Sequence, residues 1–457
     1  MSPTTPRIGL LFSYDWDTLG FDRLASQFTW DKAGFDLLTF PSNARLVGFD
    51  LDRFADRQAR RGRRRGWGGV VSHQEQFGAL AAALVAERLG LPGTPVTAIL
   101  ACQHKLHARQ VLAQVCPEAN IAFAVLDAEY GGSIPANVSY PAYVKPVKAA
   151  FSVLARRVDN YNELQRHTRY GRRELWVIQR LVEPFERIAR QRLAQAGTAH
   201  RLLLEQPVQA AQYNLDGWVY NGQTHALGVV DAIMYPGTQA FMRWQHPSQL
   251  PASVQAQALA VAQRFLQAVG FSQGMFNMEF FHDAATGKLS VIEFNPRLAS
   301  QFSDLYRRVR GFDPHAMSVA LALGQDPTQL PRVDPVAGAA ASLVYRTFTP
   351  GAAPKMPSAA QRTALRQRFP DAQLFTYPKR GYDLARDFKW LGNHRYGILD
   401  LHGRDETHLR RLAEEASALI GWTAPYADHQ VHRPADDTPR SGGPQHSNTR
   451  PSFTSGD

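Results

Sequence analysis

Groups able to do chemistry are densest between Gly274 and Ser300, in the stretch GMFNMEFFHDAATGKLSVIEFNPRLAS. Glu279, Glu293 and Asn295 offer two carboxylates and one amide oxygen, a hard-oxygen set of the kind that takes magnesium. Period-two alternation positions them. In Met275–Asp283, Phe276, Met278 and Phe280 fall on one side and Asn277, Glu279 and Phe281 on the other. In Leu289–Arg297, Ile292 and Phe294 oppose Val291, Glu293, Asn295 and Arg297. Ala285-Thr286-Gly287 supplies the turn between the two strands. Paired as a hairpin, the polar residues share one face, with cross-strand neighbours roughly 5–8 Å apart. Two carboxylates at that range repel one another unless something cationic lies between them.

Lysines recur upstream. Lys105 sits in an apolar stretch, Ala98–Val115, that reads as one helix and follows the turn-rich Gly90–Pro95. The strand Ala142–Val144 ends in Lys145-Pro146, and the loop from Lys148 to Ser152 leads to another strand, Val153–Val158. The apolar run Leu202–Leu204 ends in Glu205, followed by the linker Gln206–Val208 and then by Gln212. Asp216-Gly217 and Asn221-Gly222 read as turn pairs bounding short strands.

In that order, Lys105, Lys145, Glu205, Glu279, Glu293, Asn295 and Arg297 resemble the marks of the ATP-grasp superfamily. The hairpin ending Glu-x-Asn-x-Arg and the Val-Lys-Pro strand are the strongest of them. The resemblance spans roughly Gly90 to Gly324. It implies that Lys105 and Lys145 neutralise the α- and β-phosphates of ATP, and that Lys148 and Ser152 reach the β- and γ-phosphates. The backbone of Gln206–Val208 would meet the adenine edge, with Glu205 at the amine or ribose. Glu279, Glu293 and Asn295 would hold Mg2+, with Mn2+ as an alternative, and Arg297 would bind the acyl-phosphate oxygens. Three positions depart from the family pattern. His104 stands where Asp is usual, Ala149-Ala150-Phe151 replaces a glycine-rich loop, and Gln212 replaces an acid.

The expected fold class is α/β and α+β, multidomain: an ATP-grasp fold with an N-terminal Rossmann-like open sheet domain and a C-terminal α+β domain. Residues 1–97 form the first domain and 98–330 the nucleotide domain, with a small lid at about 137–205. Residues 331–427 form the C-terminal domain, and 428–457 a Pro-, Ser- and Gly-rich disordered tail. Phe35–Phe40 and Gly69–Ser72 read as short strands, and Arg380–Leu401 as two more around Gly392-Asn393. Tyr170–Gln195 reads as a charged helical insertion in the lid. Leu298–Gly311, carrying Ser300, Asp304, Arg307 and Arg310, is expected where acceptor substrate meets phosphate.

Composition narrows the partners. Lys and Arg number 51 against 40 Asp and Glu, for a formal charge of +11, which favours anionic partners. The cluster Arg57–Arg65 reads as a solvated loop in preference to an RNA-binding arm, because no aromatic base platform accompanies it. Nucleic acid is therefore disfavoured, and so is a membrane, since no apolar run is long enough to span one. The N-terminus reads as a first strand, not a signal peptide. Two cysteines, Cys102 and Cys116, imply no disulfide framework and point to the cytoplasm. Cys102, His104 and His107 are spaced too tightly for a common zinc site. Gly270-Phe-Ser-Gln-Gly274 matches a hydrolase elbow formally, but a helix precedes it and a strand follows, the reverse of what that elbow needs.

The resemblance thus implies an ADP-forming ligase that activates a small-molecule carboxylate and couples it to an amine, of amino-acid or dipeptide type. A biotin-carboxylase-like carboxylase and a non-catalytic ATP-binding regulatory protein are the alternatives. A homo-oligomer is compatible with the sequence, which does not identify either substrate.

Overall fold

The computed structural model describes residues 5–35, 46–129, 132–135, 137–149, 154–351 and 353–426. Ser152, most of the expected strand Phe35–Phe40 and the expected tail 428–457 lie outside the described residues.

The first layer is a parallel sheet of β1 (Arg7–Leu11), β2 (Thr29–Ala33) and β3 (Trp67–Val71), in the order β2–β1–β3. Its central strand buries Ile8, Leu10 and Leu11. The basic run between β2 and β3 corrects one expectation: it is the helix Leu51–Arg65, not a loop. Leu51, Phe54, Ala55, Ala59 and Gly62 recur at helical spacing among the arginines and form its buried stripe. Asp50 caps the start by accepting from the Arg53 amide, and Gly66 ends it at φ 65°. Arg61 and Arg65 turn back to Asp31 of β2, at 3.5 and 2.9 Å.

Residues 98–115 are not one helix. His104 leaves the helical region and separates Val96–Gln103 from Lys105–Val115. Its Nδ1 accepts from the His107 amide, 3.2 Å away, so His104 serves as an N-cap and not as a metal ligand.

The second layer is an antiparallel sheet of β4 (Phe123–Glu129), β5 (Ala142–Pro146), β6 (Arg156–Val158) and β7 (Arg201–Glu205), ordered β4–β7–β5–β6. It begins at Phe123, upstream of the expected lid, because β4 pairs with β7. The charged segment after β6 holds the helix Arg172–Arg192. Val182, Phe185, Ile188 and Ala189 of this helix join one apolar core that runs from the first layer into the second. Arg187 meets Asp50 at 3.1 Å and Arg192 meets Glu87 at 3.0 Å. This helix therefore fastens the four-stranded sheet to the N-terminal layer.

The third layer is an eight-stranded sheet of β8 (Ala211–Tyr220), β9 (Gln223–Met234), β10 (Phe241–His246), β11 (Gly274–Asp283), β12 (Lys288–Asn295), β13 (Ala339–Thr347), β14 (Gln373–Thr376) and β15 (His394–Gly403). The order is β12–β11–β8–β9–β10–β13–β15–β14. The C-terminal strands thus extend the central sheet and do not form one of their own. Gly381–Leu391 is a helix closed by Gly392, not the strand expected there. Asp216-Gly217 lies inside β8 at a bulge, whereas Asn221-Gly222 does make a turn, with φ 48° and 77°.

Candidate active site

The hairpin β11–β12 forms the floor of the site. Glu279 lies directly opposite Glu293, and Asn277 opposite Asn295. Phe276, Met278 and Phe280 are buried on the other face, beneath the helix Ala252–Ala268, where Phe294 stacks on Phe265 at 3.9 Å. A bulge breaks the expected alternation. Phe280 pairs with Val291, so Ile292 is the extra residue, and Val291 with Phe294 turns inward while Ile292 stays half-buried. The bulge leaves the polar face intact and alters only which apolar residue fills the core.

Donors converge on the two acids. Lys105 Nζ is 2.8 Å from Glu293 Oε2 and also donates to the Ala149 carbonyl at 3.0 Å. Gln212 Nε2 donates to Glu279 Oε2 at 2.9 Å, and Asn295 Nδ2 to Glu279 Oε1 at 3.3 Å. Behind them Asn277 Nδ2 donates to Asp216 Oδ1 at 3.2 Å, and Tyr306 Oη to Asp216 Oδ2 at 2.7 Å. The two acids are electrostatically unlike. Burial, and then the charge of Glu293, push the Glu279 carboxyl up. Burial would raise Glu293 too, but Lys105 and Lys145 outweigh it and hold that carboxyl down.

Lys145 and Lys148 enter from the second layer. Lys145 Nζ meets Glu205 Oε1 at 2.8 Å and the Ile292 carbonyl at 3.3 Å. Lys148 is buried, its Nζ 3.4 Å from the Glu75 carbonyl and 5.0 Å from the centre of the Phe185 ring. Burial lowers the Lys148 ammonium to about 8. Arg297 Nε lies 3.0 Å from Glu75 Oε2, at the junction with the first layer.

A family model for an ATP-grasp domain matches residues 138–304, a span that holds every one of these groups except Glu75, Lys105 and Tyr306. The chain carries an ATP-grasp domain. Carnosine synthase 1 of Gallus gallus is 29% identical over 263 residues, 54% of this chain and 26% of that protein. The L-amino acid ligase of Bacillus licheniformis shares the fold with a TM-score of 0.65 at 16% identity, over 90% of this chain and 97% of that one. The biotin carboxylase of Campylobacter jejuni does so at 0.57 and 13%, over 91% and 92%. The chain spans less than half the length of the curated relatives it matches.

Within the ATP-grasp domain the expected residues divide into two groups. Lys105, Lys145, Gln212, Glu279, Glu293 and Asn295 converge on one polar face, with Lys148 and Arg297 at its rim toward the first layer. Glu205 does not. Its carboxylate is buried, taking Lys145 and also Arg109 Nε at 2.6 Å, so it positions a lysine and does not stand free for a ligand. The Gln206 amide is likewise committed, to the Ala122 carbonyl at 2.9 Å, and Val208 is half-buried in the linker.

Arg109 is the principal residue that the sequence did not reveal. It is buried, and beyond Glu205 it donates to the carbonyls of Val291 at 2.7 Å and Ile292 at 2.8 Å. β12 is an edge strand, and Arg109 with Lys145 satisfies the carbonyls that its bulge leaves without a ladder partner. Glu75, following β3, and Tyr14, following β1, were missed as well. The Tyr14 hydroxyl accepts from the Glu75 amide at 3.4 Å. Both lie beyond the carboxyl ends of parallel strands, where open α/β sheets bind ligands.

Magnesium fits this donor set. Two carboxyls in direct cross-strand register and an adjacent amide offer hard oxygens, and Asn295, whose nitrogen now donates to Glu279, would present its oxygen by rotating the terminal amide.

Proposed function

We propose that the protein is an ATP- and magnesium-dependent ligase that activates a carboxylate as an acyl phosphate and couples it to an amine, with amino acids as the favoured substrate class. The direct pairing of Glu279 with Glu293, with Lys105 held against the second acid, carries this reading. A triphosphate is strongly anionic, and a carboxylate attacks its γ-phosphorus only once that charge is neutralised. Lys105, Lys145 and Lys148 would supply fixed positive charge along the phosphates. Glu279, Glu293 and Asn295 would hold magnesium, which spreads and neutralises the charge of the phosphoryl oxygens.

In the first step the substrate carboxylate oxygen bonds to the γ-phosphorus, the β–γ bridging bond breaks, and ADP leaves. In the second, the amine nitrogen bonds to the acyl carbon, the C–O bond to phosphate breaks, and the amine loses a proton. Arg297 would hold the acyl-phosphate oxygens during both steps. The names of two relatives, a carnosine synthase and an L-amino acid ligase, support the amino-acid version. Residues 1–97 then help to hold the acceptor, 98–330 the nucleotide, and 331–427 close the far side. Both cysteines are buried free thiols, and the cytoplasm is the compartment we assign.

The test is ADP and phosphate release over a matrix of amino acids offered as carboxylate and as amine. Release that depends on both partners supports the ligase. Bicarbonate-dependent release without an amine would favour the carboxylase alternative, and nucleotide binding without release would favour a regulatory binder.

A further inference from the structure

Beyond Arg297 lies a second polar pocket that none of these roles uses. It is lined by Trp16, Gln301, Ser303, Asp304, His315 and Asp400 among others, and encloses about 10 Å³, room for one group the size of a water or an ammonium. Three parts of the fold meet there: the helix Asp15–Asp22 of the first layer, the segment after the metal-site hairpin, and β15. Junctions of this kind are where small-molecule sites tend to form.

Arg23, Ser300 and Gln373 also line it, and four polar atoms of its walls lack partners. Ser303 Oγ, Asp304 Oδ1, His315 Nδ1 and Asp400 Oδ1 are all buried and have no hydrogen-bond partner. Ser303, His315 and Asp400 are each no more than 2% exposed, and Asp304 is 8% exposed. Orphaned buried polar atoms are rare, because each costs the full desolvation of the group, and four in one pocket point to a ligand. His315 Nε2 faces Asp17 Oδ1 at 3.3 Å, and a carboxylate only accepts, so Nε2 carries a hydrogen and the neutral ring offers Nδ1 as an acceptor.

The charges around the pocket are mostly cancelled. Arg308 Nε holds Asp304 Oδ2 at 2.7 Å, and Arg23 faces Asp313 at 3.6 Å. Asp17 is shared by His73 and His315. Asp400 has no ion pair among the described residues, and the charge of Arg308, which is paired with Asp304, only partly offsets its burial. Burial drives its carboxyl well above the ordinary range; the Ser342 hydroxyl opposes this and nearby Asp304 adds to it. A positive group placed here would let Asp400 ionise, and its N–H donors would meet Asp304, Asp400 and Ser303 together.

We infer that this pocket binds a primary ammonium group of the acceptor substrate, so that the amine partner of the ligation carries a second, cationic amine. The pocket adjoins the proposed reaction centre: Trp16 Nε1 donates to Ser300 Oγ at 2.9 Å and stacks on Tyr14, whose hydroxyl meets the Glu75 amide beside Arg297. The inference rests on the ligase reading of that centre.

Direct binding tests it apart from turnover. L-lysine, L-ornithine and 1,4-diaminobutane are compared by calorimetry with L-norleucine, which has lysine's shape without the terminal ammonium. At least one ammonium-bearing probe should bind roughly tenfold or more tightly than norleucine, the worth of a charged hydrogen bond. Asp400→Asn, which keeps the shape, should erase the difference, and Ser303→Ala should reduce it; circular dichroism checks that both variants fold. If no ammonium-bearing probe exceeds norleucine, or if the preference survives in Asp400→Asn, the pocket holds only water and the inference falls. ADP release with neutral amines would at the same time leave the ligase reading standing, so the two failures are distinguishable.

Discussion

Lys105 Nζ and Glu293 Oε2 stand 2.8 Å apart, joining the first turn of a helix to the edge strand of the central sheet. The ion pair fixes both partners before any ligand arrives: the lysine is aimed at the polar face, and the carboxyl beside it stays ionised. Removing the acid should therefore end turnover without unfolding the chain. Glu293→Gln keeps the volume and one oxygen but loses the charged oxygen proposed to hold magnesium. Loss of partners one step removed from a metal costs roughly 10–100-fold, so this change should exceed that range. Steady-state ADP release, with thermal unfolding as the control, checks it; a Glu293→Gln protein that retained activity would contradict the metal assignment.

Glu279 provides a pH signature. Burial and the Glu293 charge raise its carboxyl, so the free protein holds a proton there to higher pH than an ordinary carboxyl does. A cation held by this carboxyl must displace that proton. Magnesium affinity should accordingly rise as pH increases through neutrality, and binding should release a proton. Calorimetry in Tris and in HEPES, whose ionisation enthalpies differ, should give heats that differ by the proton count. Equal heats in both buffers would contradict the assignment of Glu279 as ligand.

Lys148 should produce the opposite slope for the nucleotide. Burial lowers its ammonium to about 8. Below that pH the group is charged and attracts phosphate; above it the free protein holds a neutral amine, and binding must take up a proton. Nucleotide affinity should fall above about pH 8, by at most roughly tenfold per pH unit for one group. Lys148→Met should weaken binding roughly tenfold or more below that pH and flatten the profile above it. Fluorescent-nucleotide titration across pH 6.5–9.5 reads both effects.

The hairpin was legible because its two strands are adjacent in sequence and alternate, so that spacing alone put Glu279 and Glu293 on one face; their direct register is visible only in the pairing. Lys145 was legible because it ends an apolar strand. The bulge at Ile292 was not, since an extra residue changes no composition and shows only as a shift in pairing. The Arg57–Arg65 run was hard to place because charge dominates a helix whose apolar stripe is built largely from Ala and Gly. Arg109, Glu75 and Tyr14 act through partners far away in the chain: Arg109 reaches the Val291 carbonyl 182 residues on. Nothing local distinguishes such an arginine from a solvated helical one. The same holds for Arg172–Arg192, whose amphipathic pattern signals a helix but not the N-terminal layer that it clamps.

Arg109 also separates a positioning role from a structural one. It is 1% exposed and binds Glu205 together with two carbonyls of β12. Arg109→Met fills much of the space but leaves Glu205 to Lys145 alone, strips the Val291 carbonyl of its donor and leaves the Ile292 carbonyl only Lys145. Breaking a buried ion pair costs about 3–5 kcal/mol, and the abandoned Val291 carbonyl adds to that. Chemical denaturation should show a loss of at least that order. Lys145 would then be the ion-pair partner left to balance Glu205, drawing its charge away from the proposed phosphate site. Arg109→Lys restores the charge but not the three-way donation, because an ammonium lacks the planar fork. It should recover part of the stability and less of the nucleotide affinity. Equal recovery of both would mean that Arg109 only supports the fold and does not set the position of Lys145.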